Sequence, residues 1–176
     1  GQLLSSIVID VFQAGAGTSL HMNINEVISN RANQILGKPL GAKKPIHPND
    51  TVNLGQSTND VIPTAMRIAT LRLTKRLIEE TEKFSSSILK KSKEYKRIIK
   101  SGRTHLMDAT PITLGSEFEA YAYSIDKDIN FINKAIKNLY FIGLSGTATG
   151  SGINAPIEYK NNIANYLSNV TGLSLK

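Results

Sequence analysis

Apolar positions along this chain recur mainly at helical spacing. Val61, Ala65, Ile68, Leu73, Leu77, Phe84, Ile88, Tyr95 and Ile98 follow one another mostly at steps of three, four or seven. That stripe predicts a helix of about 40 residues, roughly 60 Å long at 1.5 Å per residue. Asn59 or Asp60 is expected to cap it, with Pro63 tolerated in the first turn. A second stripe runs Leu114, Phe118, Tyr121, Ile125, Ile129, Ile132, Ile136 and Leu139, with Thr110-Pro111 before it as cap and first-turn proline. A shorter helix is expected after Asn154-Ala155-Pro156, with Ile157, Ile163, Leu167 and Val170 facing inward. Another is expected from Asn25 to Leu36, ended by Gly37. No segment alternates as a half-buried strand would, and Lys38 to Pro45 reads as a domain-edge linker. The class is therefore all-α, a long-helix bundle with an irregular segment in front. A helix of that length exceeds a small domain and needs long partners, from this chain or another.

Composition narrows the function classes. At 176 residues the size prior is one domain, or one domain plus part of another. The absence of Cys removes disulfides, zinc-thiolate sites and a cysteine nucleophile. No apolar run is near the ~20 residues of a membrane span. Gly1-Gln2-Leu3-Leu4 has neither an initiating Met nor a basic region, so it reads as the interior of something longer rather than as a signal peptide. The net charge of +7 first suggests nucleic acid. Six of those seven charges, however, fall within Arg72 to Lys100. There, pairs such as Lys75–Glu79, Arg76–Glu80 and Lys90–Glu94 make a solvated helix face. Neither a nucleic-acid nor a membrane partner is expected.

Four loops, each running into an expected helix start, share a different character. They are Gln13 to Asn25, His47 to Asp60, Ser101 to Thr110 and Gly143 to Asn154, rich in hydroxyls, amides and Gly, and they hold all three histidines. Gly lets backbone amides approach closely, and helix N-termini offer free N–H groups and a favourable dipole. Such loops suit an oxyanion, and two of them could hold the two ends of a small dicarboxylate. Taken singly, each has the composition of ordinary turns and caps, and His21 or His47 alone reads as a surface or capping histidine. No metal site is expected, because the histidines are scattered and Asp50 and Asp108 lack ligand spacing. The Gly-rich stretches match neither the dinucleotide fingerprint nor the P-loop.

Taken together and in order, the loops resemble the fumarase/aspartase superfamily over essentially the whole chain. The matching stretches are Gly-Ala-Gly-Thr-Ser at 15–19 with Met22-Asn23 and Asn25-Glu26-Val27; His47-Pro48-Asn49-Asp50 with Val52-Asn53; Gln56-Ser57-Thr58-Asn59-Asp60 with Pro63-Thr64; Gly102-Arg103-Thr104-His105 with Asp108-Ala109; and Gly146-Thr147-Ala148 with Gly150, Gly152 and Asn154.

The resemblance implies a lyase that eliminates ammonia, water or a similar group from a succinyl-type substrate to give fumarate, with no cofactor. It implies that residues 1–55 are the C-terminal part of a mixed N-terminal domain. Residues 56–176 would be the first long helices of the central bundle of a cytoplasmic homotetramer, whose active sites draw on several subunits. Thr18, Ser57, Thr58 and Asn59 correspond to groups that hold substrate carboxylate and the leaving-group end. Thr104 and His105 correspond to the pair contacting the other carboxylate, and His105 is the group there able to titrate near neutrality. His47, Asn49 and Asp50 match a secondary anion-binding segment. In the family, charge is pushed onto a carboxylate as an aci-acid, so preorganised donors are the main catalyst. The family's Gly-Ser-Ser-x-Met-Pro-x-Lys-x-Asn loop, with its general-base serine, does not occur here. Ala16, Thr58 and Glu117-Phe118-Glu119-Ala120-Tyr121 resemble aspartate ammonia-lyases, the favoured reading. Thr104-His105 with Asp108-Ala109-Thr110-Pro111 resembles fumarases, the alternative, and a non-catalytic structural relative is a further one. His21 departs from both, since the usual residue there is Asn.

Overall fold

The computed structural model describes residues 2–13 and 17–176. Helix α1 spans Thr18–Ile35 and α2 spans Thr58–Glu94. Strands β1 (Ile99–Thr104) and β2 (Met107–Thr113) lead into α3 (Leu114–Ala135), and α4 (Ile157–Thr171) follows. Two compact units divide the chain: residues 1–68 with 140–176, and residues 69–139.

In the first unit, α1 begins seven residues before the expected start, at Thr18 rather than Asn25. Its buried residues are His21, Asn25, Ser29 and Asn33, a polar row at helical spacing that an apolar count passes over. Fully buried Asn33 donates to the carbonyls of Ala42 (2.7 Å) and Ile46 (2.8 Å) and accepts from the Ile46 amide (3.1 Å). Ser29 donates to the same Ile46 carbonyl at 2.7 Å. The segment expected to be a linker, 38–45, is thus strapped to α1. Helix α4 starts after Pro156 as expected, but Ile157 and Val170 are exposed rather than inward. The chain end pairs back: Ile142 donates to Lys176, and Lys176 donates to Tyr140, both at 2.8 Å.

The start of α2 is a capping box. The Ser57 hydroxyl accepts from the Asn59 amide at 3.2 Å, and the Asp60 carboxylate reaches back to the Ser57 amide at 2.9 Å. Ser57, not Asn59 or Asp60, is therefore the cap, and Pro63 sits beyond the first turn. Along α2 the buried positions are Asp60, Thr64, Leu71, Thr74, Ser85 and Ser92, whereas Leu73, Leu77 and Phe84 of the expected stripe are exposed.

In the second unit, two antiparallel strands stand where no strand was expected. The pairing runs from Ile99↔Thr113 to Thr104↔Met107, with a bulge between Ser101 and Arg103. Most of their positions are exposed, so no apolar alternation exists to betray them. Thr110 and Pro111 lie in β2, and the cap of α3 is Thr113, whose hydroxyl accepts from the Ser116 amide at 3.0 Å. Gly115 brings α3 onto the end of α2: a Cβ there would lie 2.5 Å from the Ser92 carbonyl oxygen. Tyr95 meets Phe118 edge-on at 5.5 Å, and the Ser85 hydroxyl donates to Asp126 at 2.6 Å. The surface ion pairs here include Lys83–Glu80 and Lys91–Glu94, spaced i and i+3 rather than the expected i and i+4.

Candidate active site

In the first unit the starts of α1 and α2 meet. Gly17, at φ +85°, is the N-cap of α1, and a Cβ there would be 3.2 Å from the Ile62 side chain. One turn on, Nδ1 of His21 lies 2.9 Å from the Thr58 hydroxyl. The N-terminal ends of two helices and their dipoles are thereby brought to one place, along with Thr18, Ser57, Thr58 and Asn59. Thr18 and Asn59 are exposed; Ser57 and Thr58 are half-buried. Gly15 and Ala16 of the first motif lie outside the described residues.

Asp60 pins the fourth loop to this place. Its side chain is buried, and its two carboxylate oxygens accept from the amides of Ser57 (2.9 Å) and Thr147 (2.8 Å). The Asn59 amide group donates to the Ala148 carbonyl at 3.4 Å. Asn49, Asn53, Ser57, Thr147 and Asn154 line a cleft of ≈ 470 Å³ between the second and fourth loops. Tyr159 faces the same carboxylate environment. Burial first, and the Asp60 charge second, push its phenol up to about 12, so it stays protonated.

His47 caps a one-turn helix, Pro48–Val52, by accepting from the amides of Asn49 (3.2 Å) and Asp50 (3.1 Å) on Nδ1. A nitrogen that accepts two amide hydrogens carries no proton of its own. The 3.4 Å approach of Asp50 to that atom is therefore no ion pair. His47, Asn49 and Asp50 are thus brought together on one short element.

Thr104 and His105 belong to the second unit, at the tip of the β1–β2 hairpin. His105 and Leu106 have φ of +50° and +61°, the signature of a two-residue type I′ turn built without Gly. Both are exposed, and Arg103 and Asp108 face each other at 3.6 Å beside them. Gly102 makes the bulge possible, since a Cβ there would be 2.7 Å from the Thr110 carbonyl oxygen. At the root of the hairpin, Lys100 donates to Glu117, whose other oxygen accepts from Tyr121 at 2.9 Å. The Lys100 hydrogen bond, then the Tyr121 one, lower the Glu117 carboxyl.

Three groups escaped the sequence reading as site components. His21 is buried rather than a surface or capping residue, and burial lowers its pKa despite the opposing Asp60 charge. Asp60 joins two loops, and the Ser57-x-x-Asp60 spacing of a capping box was the available signal. Thr147 sits at φ +58° with a buried hydroxyl that finds no partner among the described residues. The Gly146-Thr147-Ala148 stretch was the available signal.

The family model described as lyase matches residues 1–176. Fumarate hydratase class II of Methanosarcina acetivorans is 46% identical over 173 residues, 98% of this chain and 36% of the relative. Aspartate ammonia-lyase of Bacillus subtilis is 44% identical over 175 residues, 99% of this chain and 37% of the relative. Among solved structures, a fumarate lyase:delta crystallin from Brucella melitensis bound to cobalt has a TM-score of 0.90 at 45% identity, covering 100% of this chain and 38% of that one. The class II fumarase of Schistosoma mansoni has a TM-score of 0.85 at 32% identity, covering 98% of this chain and 36% of that one. The chain spans a little over a third of the length of these relatives. With donor loops in the family's order and a family match along its whole length, the chain belongs to the fumarase/aspartase superfamily of lyases.

Proposed function

We propose that this chain is the substrate-holding part of a lyase that reversibly eliminates ammonia from L-aspartate to give fumarate. The observation that carries this is the joined start of α1 and α2. Uncharged donors gather there around a place with no Lys or Arg among Thr18, Ser57, Thr58 and Asn59. The Ser57 hydroxyl already accepts from Asn59, so the proton it has left is free to be donated. Such donors stabilise charge that grows on a substrate carboxylate as the Cβ proton leaves. Thr104 and His105 would meet the other carboxylate, and His47, Asn49 and Asp50 would form an accessory anion site.

The chain's place in the whole is part of the same proposal. Residues 1–55 would close an N-terminal domain, and residues 56–176 would begin the central bundle of a cytoplasmic homotetramer with sites shared between subunits. The exposed Leu73, Leu77 and Phe84 on α2 support a partner helix there. A second reading, fumarate hydratase, is favoured by the Thr104-His105 and Asp108-Ala109-Thr110-Pro111 stretch and by relatives named fumarate hydratase. Ultraviolet absorbance of fumarate, followed with the full-length protein on L-aspartate and on L-malate, tests both. Release from aspartate supports the first and release from malate the second. Release from neither overturns both and leaves a non-catalytic relative.

A further inference from the structure

His21 is buried, 3% exposed, and its two ring nitrogens stand in different situations. Nδ1 lies 2.9 Å from the Thr58 hydroxyl, whereas Nε2 is buried with no partner among the described residues. A neutral imidazole carries its single proton on one nitrogen or the other. With the proton on Nε2, a buried N–H donor would be orphaned, which folded proteins rarely tolerate; a bare acceptor is orphaned more often. The proton therefore belongs on Nδ1, and His21 donates to Thr58. Burial keeps the ring neutral, against the opposing pull of the Asp60 carboxylate. Thr58, with a lone pair occupied, must then turn its own hydroxyl hydrogen away from His21.

We propose that His21 is a positioning residue that fixes the polarity of the Thr58 hydroxyl, so that Thr58 meets a substrate carboxylate only as a donor. This rests on the proposed lyase reading, in which Thr58 holds substrate. It gives Thr58 the arrangement of its neighbour Ser57, whose oxygen accepts from the Asn59 amide. It also predicts which substitution is harmless. Asn places an amide nitrogen at the same number of bonds from Cβ as Nδ1, so His21→Asn keeps the donor. His21→Leu keeps an apolar shape and loses it.

Two measurements on the full-length protein test this. In the first, 15N-histidine NMR reads the His21 tautomer without any reaction. Nδ1–H is expected, with the His21 signals shifting in Thr58→Val; an Nε2–H tautomer overturns the proposal whether or not the protein is a lyase. In the second, His21→Leu is expected to raise KM about tenfold for the substrate that releases fumarate, the loss of roughly one oriented hydrogen bond. Its kcat should fall as well, because the Thr58 donor also meets the charge that grows on that carboxylate as the Cβ proton leaves. His21→Asn is expected to stay within about threefold of wild type. An unchanged kcat/KM in His21→Leu, or equal losses in the Leu and Asn variants, overturns the positioning role. Release of fumarate from neither substrate fails the lyase reading, and the tautomer result then still decides whether His21 sets the Thr58 hydroxyl.

Discussion

Asp60→Asn is the most informative single substitution, because it keeps size and shape and changes only what the two oxygens can accept. In the native chain one oxygen takes the Ser57 amide at 2.9 Å and the other the Thr147 amide at 2.8 Å, with the side chain 3% exposed. Asn retains one carbonyl oxygen for one of these amides, at neutral strength. Its NH₂ then faces the other amide, donor against donor. A hydrogen bond to a charged group is worth about 1.5–3 kcal/mol, and an orphaned buried donor costs about 1–3 kcal/mol. The loss expected is therefore about 3 kcal/mol, concentrated where the fourth loop meets α2. Amide hydrogen exchange reads that locally and needs no global unfolding. The Thr147 amide should exchange roughly a hundredfold faster in the variant. Asp108→Asn is the control: that carboxylate is 77% exposed and 3.6 Å from Arg103, an arrangement worth about 0–1 kcal/mol. Unchanged exchange at both Ser57 and Thr147 in Asp60→Asn would refute the claim that this carboxylate ties the loops together.

Other outcomes follow from the same geometry. Gly102→Ala places a Cβ 2.7 Å from a backbone oxygen, so the hairpin must shift, at a cost of about 1–3 kcal/mol; a melting temperature equal to wild type would contradict this. Asn33→Leu strips three hydrogen bonds from the 38–46 strap and should speed tryptic cleavage after Lys43, read as the half-life of the intact chain. His21 has a folded pKa below its ordinary 6.5, so the unfolded chain takes up more protons on acidification. Its contribution to stability is full above that value and falls as the pH drops towards the folded pKa. Between about pH 8 and about pH 5 wild type should lose more denaturation midpoint than His21→Asn; equal losses would show that His21 is not the group titrating.

The fourth donor-rich loop, the helical class and the start of α4 after Pro156 were legible in the residues alone, whereas Thr18 to Asn25 of the first expected loop is helix and Ser101 to Thr110 of the third is a β-hairpin. Loop chemistry is local: Gly at a left-handed turn and Ser, Thr or Asn at a helix start act on their immediate neighbours. The long helices were legible in existence but not in orientation or ends. On α1 and α2 the face turned inward is largely His, Asn, Ser, Thr and Asp, paired across the fold to groups such as the Ile46 backbone, Asp126 and the Thr147 amide. Apolar periodicity reports which face avoids water somewhere, and on α2 Leu73, Leu77 and Phe84 remain exposed among the described residues. The hairpin was invisible because its strands have no apolar face to alternate.

By itself, then, the sequence determined the family, the helix-rich class and the inventory of donor groups in their order along the chain. Only the tertiary structure decided which groups share a place. It set His21 against Thr58, made Asp60 the link between the second and fourth loops, and put Thr104 and His105 on a strained turn. The reason is that the first two depend on contacts between residues 37 and 87 apart in sequence, and the turn depends on a strand pairing that no apolar alternation announces. A buried polar group is tolerated only where such a contact supplies its partner, and no local pattern of residues records where that partner stands.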